Sequence, residues 1–114
     1  MKKFIILYYS PAGAMQKMQT SAPDIMQAEM DKWMAWFKGL GDKVVDMGEM
    51  LAGSASLTSE GWGDTGADSP TGYSIIQADD LAAAKELVAD HPHIGWFEGC
   101  RVDVFEQVVM PENA

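Results

Sequence analysis

His91 and His93 are the two histidines of this 114-residue chain, and they flank Pro92. Imidazole is the side chain whose ordinary titration falls near neutral pH, so any histidine general base must come from this pair. His93 reads as a loop residue with Glu98 close by in sequence, the makings of a base oriented by a carboxylate. Asp79 and Asp80 offer alternative partners. Against this, His91 stands at the end of a helical pattern, where an imidazole interacts well with the helix dipole, and His93 can equally be an ordinary loop residue. Both readings stay open at the level of sequence.

His91, His93 and Glu98, with Asp79 or Asp80, also contain metal-ligating atoms, but their spacing matches no standard zinc pattern and no metal is expected. Met26, Met30 and Met34 recur every four residues, and thioethers suit Cu(I). The same helical face carries Trp33 and Phe37, which favours a core packed with methionine instead. Cys100, the single cysteine, falls on the apolar side of a strand and is expected to be a buried, inert thiol. One cysteine also excludes an internal disulfide framework.

Aromatic residues carry a different hypothesis. Trp62 and Trp96 sit on loops, and with Tyr9 and Tyr73 they are candidates to line a pocket for a small organic ligand. No phosphate-binding glycine loop, dinucleotide fingerprint or serine-nucleophile elbow is present, so no cofactor is expected.

The elements that must position these residues follow from periodicity. Phe4 to Tyr9 is an unbroken apolar and aromatic run ending at Ser10-Pro11, a strand buried on both faces. Residues 10–23 read as a loop with short helical turns. From Asp24 to Leu40 the period is helical, with Met26, Met30, Trp33, Phe37 and Leu40 on one stripe that Met34 and Trp36 widen. Gly39 and Gly41 mark its end. Val44-Val45 begins a second strand, interrupted at Gly48, and a third short strand is expected around Ser54–Thr58. Residues 59–71 read as a long loop holding Trp62. Gly72 to Ala78 alternates as a strand, Asp79 or Asp80 caps a helix striped by Leu81, Ala84, Leu87 and Val88, and His91-Pro92 stops it. From Cys100 the chain alternates again: Cys100, Val102, Val104 and Val108 on one face, Arg101, Asp103, Phe105 and Gln107 on the other.

This order predicts an α+β fold, a ferredoxin-like split βαβ unit with an antiparallel sheet and two helices on one face, in a single domain spanning 1–114. Two helices cover one sheet face, yet the first strand is apolar on both. An open apolar sheet is aggregation-prone, so a second copy packed sheet to sheet is expected, giving a homodimer.

The net charge of −9 argues against nucleic acid and anionic membranes as partners. It is unevenly spread: residues 1–60 carry 6 basic and 7 acidic side chains, residues 61–114 carry 2 and 10. No segment approaches the roughly 20 apolar residues of a membrane span. The apolar run after Met1-Lys2-Lys3 is short for a secretory leader, so a cytoplasmic location is expected.

The Trp33- and Trp36-bearing helix ending in glycine, the tract GYSIIQADDLAAAKELVADHP and the closing strand GCRVDVFEQV resemble the YCII-related (DGPF-type) domain family, over most of the chain. The resemblance implies the dimeric α/β-barrel superfamily, a homodimer, and relatives that carry out cofactor-independent chemistry on small aromatic or lactone substrates or accompany transcription regulators. Two departures stand out. Gly63 to Pro70 replaces the tetrapeptide that names the subgroup, and Met30 or a neighbour falls about where some members have an acid/base histidine. Three function classes follow: a homodimeric domain binding a small aromatic or hydrophobic ligand; a cofactor-free lyase, isomerase or hydrolase using His93 with Asp80 or Glu98; and an accessory protein to a transcription regulator.

Overall fold

The computed structural model describes residues 1–110. The first strand, β1 (Lys2–Tyr9), is the inner strand that organises the sheet. It pairs antiparallel with β5 (Gly72–Ala78) on one side and β6 (Arg101–Glu106) on the other, while β2 (Val44–Asp46) pairs outside β5. The order β2-β5-β1-β6 is the antiparallel ferredoxin-like arrangement expected from the strand–helix sequence.

Strand alternation divides the sheet into two chemically different faces. Phe4, Ile6 and Tyr8 on β1 and Ser74, Ile76 and Ala78 on β5 are buried beneath the helices. Directly opposite strand positions share a face, so Val102 and Val104 join this side through Tyr8 and Ile6. Ile5, Leu7, Tyr9, Tyr73, Ile75, Asp103 and Phe105 occupy the other face, partly or largely in solvent. Among the described residues, the two helices that bury the core, α2 (Pro23–Leu40) and α3 (Leu81–Val88), lie over the first face.

Those two helices supply the core. In α2 (Pro23–Leu40), proline stands at the first turn, where its missing N–H costs nothing, and Gly41 closes the end at φ 60°. Trp36 and Phe37 are the buried residues of α2, with Trp33 and Leu40 packed beside them. Helix α3 (Leu81–Val88) buries Ala84 and Val88, and the Asp80 carboxylate caps it by accepting the Ala83 N–H at 2.8 Å. Trp36 joins the two helices, its indole N–H donating to the Leu87 carbonyl at 3.1 Å.

Two segments differ from the sequence expectation. Residues expected to form a loop with short turns make a full helix, α1 (Ala12–Thr20). Its only buried side chain is Ala14, so it lacks the apolar stripe that periodicity detects. The third strand falls where expected, as β3 (Ser56–Thr58), but within the expected long loop β4 (Gly61–Gly63) pairs with it in a separate hairpin, setting Leu57 against Trp62. Glycine on both sides of a tryptophan reads as loop, and the pairing that overrides it lies between strands of three residues each.

The α2 stripe also turns out differently. Met30 and Met34, expected in the core, are 57% and 47% exposed. At about 100° per residue, Met30 and Met34 stand roughly 70° and 110° around α2 from the midpoint between the buried Trp36 and Phe37, at the margin of the buried stripe. The methionines border a hollow.

Candidate functional site

That hollow is a cavity of about 370 Å³ between α2 and one end of the sheet. Its floor is Tyr8 on β1 and Gly72 on β5, paired in register; a Cβ on Gly72 would lie 3.3 Å from the Tyr8 ring. Met26, Met30 and Met34 form one wall with Trp33 and Phe37. Met15 and Met18 of α1 form another, and Met47 and Met50 form a lip. Seven of the nine methionines therefore converge on one space. Unbranched thioethers adapt to varied shapes and make favourable contacts with aromatic rings.

The lip is held by backbone. Tyr73 N–H donates to the Glu49 carbonyl at 3.2 Å and Leu51 N–H to the Thr71 carbonyl at 2.9 Å. Gly48 makes this approach feasible: it takes φ 84°, and a Cβ there would collide with the Tyr73 carbonyl oxygen. The glycine that interrupts the second strand pattern is thus the hinge of the cavity lip.

Beneath the cavity runs a chain of buried hydrogen bonds whose direction is fixed by its ends. The Ser74 hydroxyl donates to the Met47 carbonyl at 2.7 Å, which spends its one proton. Tyr8 must then donate to Ser74 Oγ across 2.7 Å, and His91 Nε2–H must donate to the Tyr8 oxygen across 3.0 Å. The far end agrees, because His91 Nδ1 accepts the His93 N–H at 3.0 Å and so carries no proton. Burial, reinforced by the neighbouring His93, lowers the His91 pKa to about 3. Burial pushes the Tyr8 hydroxyl up to about 12, partly offset by the Ser74 bond. Both groups are neutral across the physiological range.

His93 is the polar group this scaffold leaves available. The 3-10 turn Pro92–Gly95 follows His91 directly and carries it. Its Nε2–H donates to the Tyr9 carbonyl at 3.0 Å, so the neutral ring keeps its lone pair on Nδ1. The side chain is only 6% exposed and lines the cavity. Nδ1 has no hydrogen-bond partner among the described residues, and no fully buried side-chain nitrogen or oxygen there lacks one, so Nδ1 is not sealed off in the protein interior. The arrangement can accept a proton, or a hydrogen bond, from whatever occupies the cavity.

The other candidate residues separate. Trp96 lines the cavity beside His93, tied to α1 by its indole N–H to the Ala14 carbonyl at 3.3 Å and by Lys17, which lies 4.2 Å over its ring. Tyr73 borders the cavity through its strand, although its pairing with Leu7 belongs to the opposite sheet face. Tyr9 contributes its carbonyl; its ring lies on that opposite face, under Arg101 at 4.0 Å. Arg101 in turn is held by both oxygens of Asp68, at 3.1 and 3.2 Å, and by Asp103. Trp62 is 73% exposed on the hairpin and does not line the cavity. Glu98 is exposed and away from the lining, and Asp80 is committed to its helix cap.

The carboxylate residues placed at the cavity are instead Glu29, paired with Lys32 at 2.9 Å, and Glu49 of the lip. Cys100 is partly buried, and burial raises its thiol pKa. Among the described residues, no group of three or more His, Cys, Asp or Glu side chains is placed to hold a metal ion, and no helix is long and apolar enough to cross a membrane. Tyr8, Ser10, Thr71 and Ser74 were absent from the sequence candidates. Tyr8 carried a signal nonetheless, since it shares a buried strand face with Phe4 and Ile6 and a buried hydroxyl needs partners.

No protein-family model and no curated protein sequence matches the chain. Among solved structures it is similar to the 5-chloro-2-hydroxyhydroquinone dehydrochlorinase from Burkholderia phenoliruptrix AC1100, in complex with 2,5-dihydroxybenzoquinone. That likeness has 18% sequence identity and a TM-score of 0.48, over 90% of this chain and 91% of the other.

Proposed function

We propose that the protein is a cytoplasmic, YCII-related homodimer that binds a small aromatic or hydrophobic molecule in the Met-lined cavity, without a cofactor. The observation that carries this reading is the pairing of adaptable apolar walls with an imidazole, His93, whose Nδ1 has no partner among the described residues. A volume of about 370 Å³ lies within the usual range for small-ligand pockets. Trp33 and Trp96 both line the space, so a titration of tryptophan fluorescence with a panel of small aromatics tests it directly. Saturable changes are expected; silence across a broad panel would remove the proposal.

Dimerisation is supported by the open sheet face. Phe105 is 52% exposed there, in register with Ile5 and alongside Leu7 and Ile75. A second copy laid on this strip removes apolar surface from both chains. Sedimentation at micromolar concentration tests this, and a stable monomer would contradict it.

A catalytic reading is favoured by one feature. The Tyr9 carbonyl fixes the His93 tautomer and leaves a lone pair at the cavity, as a general base in cofactor-free chemistry requires. Once a turned-over compound is found, His93→Ala should keep the fold and lose turnover. Undiminished turnover would sink the assignment.

A further inference from the structure

Hydrogen-bond capacity around the cavity is largely committed. The Tyr8 proton goes to Ser74, the Trp96 N–H to the Ala14 carbonyl and the Gly48 N–H to Asp46 Oδ1 at 2.8 Å. Thr71 Oγ1 donates to the Tyr8 carbonyl at 3.2 Å, so Ser10 is the donor in the 3.1 Å Ser10–Thr71 contact and its oxygen presents only lone pairs. Two ring nitrogens of the lining have no hydrogen-bond partner among the described residues: His93 Nδ1, an acceptor, and Trp33 Nε1–H, a donor. Neither is sealed from solvent, and the two rings lie 5.8 Å apart. Apart from the carboxylates of Glu29 and Glu49, the unspent inventory is therefore one acceptor, one donor and an oxygen that only accepts.

We infer that the occupant is a neutral hydroxyl-bearing aromatic, whose O–H donates to His93 Nδ1 and whose oxygen accepts the Trp33 indole N–H; this rests on the ligand-binding reading above. A hydroxyl is both donor and acceptor and so matches both nitrogens. An ether or ketone brings no proton and leaves the His93 lone pair unmet. A carboxylate has the same deficit and would approach the Glu29 carboxylate and the Ser10 lone pairs. An ammonium group satisfies His93 but has no lone pair for Trp33. Thioether and aromatic walls then take the rest of the ring system.

The test is calorimetric titration of the unmodified protein with naphthol, its methyl ether and naphthoate, which share one ring system and differ at the polar group. Naphthol is expected to bind roughly tenfold or more tighter than the other two, the discrimination that one buried hydrogen bond supplies. In His93→Ala the advantage over the ether should fall to parity, and in Trp33→Phe it should shrink. Equal affinities, a preference for naphthoate, or a naphthol preference that survives His93→Ala would overturn this inference while leaving ligand binding in place. Failure of all three compounds to bind would overturn both. If either variant does not fold, the ranking in the unmodified protein decides alone.

Discussion

His91 Nε2 donates to the Tyr8 hydroxyl across 3.0 Å, and the two rings lie 4.9 Å apart beneath the cavity. Each group dictates the other's state. Tyr8 can accept this proton only because its own goes to Ser74, and His91 can offer it only in the Nε2–H tautomer that the His93 N–H enforces. Protonating His91 at Nδ1 would set two N–H groups against each other in a buried place.

Stability should therefore fall in acid. With a pKa of about 3 in the folded chain against 6.5 when unfolded, His91 binds its proton more readily in the unfolded state between these values. Its neutral form is fully compatible with folding above pH 6.5, and stability is lost as pH drops from there towards 3, by up to about 1.4 kcal/mol per pH unit. Urea midpoints measured from pH 7.5 to 4.5 should show this slope, and His91→Gln should lower it by one proton. Parallel profiles for the two proteins would show that His91 is not the group responsible.

Tyr8 should ionise well above the ordinary tyrosine range. A spectrophotometric titration of the folded protein is expected to show a tyrosine titrating near pH 12 that is missing from Tyr8→Phe. Tyr8→Phe should cost about 1–3 kcal/mol, because it strands the His91 N–H and the Ser74 oxygen in a dry site. In a double-mutant cycle with Ser74→Ala the two losses should be strongly non-additive, as members of one network are. Simple additivity would break the chain as drawn.

Gly48→Ala tests the lip. The left-handed backbone and the collision with the Tyr73 carbonyl predict a loss of about 1–3 kcal/mol. The lip must move to accommodate the methyl, so affinity for any cavity ligand should fall with it. An unchanged melting temperature would mean that this segment is not held as described.

The fold was legible because its carriers are patterns: alternation in β1, β5 and β6, the 3.6-residue period of α2, and the Asp80 cap. Helix α1 and the 61–63 strand escaped because neither buries a stripe. Of the site, His93 and Trp96 could be found as rare residue types near a helix end. Glu29 could not, since its place at the cavity depends on how far α2 rotates against the sheet, and periodicity fixes a face only to within a residue or so. The same rotation decides the methionines. Their spacing marks a shared row, but whether that row packs or lines a space depends on what lies opposite. Opposite it here are Gly72 and the Gly48 lip, far away in sequence.

The two rows of α2 should accordingly differ in what substitution does to stability. Phe37 borders the cavity but is buried in the core cluster with residues of β1 and α3, so Phe37→Ala should cost about 3–5 kcal/mol through the void it leaves. Met30, seven residues earlier on the same helix, borders the cavity with more than half its surface exposed, so Met30→Ala should change stability by no more than about 0.5 kcal/mol. Its effect should appear in ligand affinity, which is expected to fall severalfold as the wall recedes from the ring system. Chemical denaturation and calorimetric titration of the same two variants separate these outcomes. A large stability loss in Met30→Ala would mean that the methionine row is core, and that the space beside it is not a ligand site.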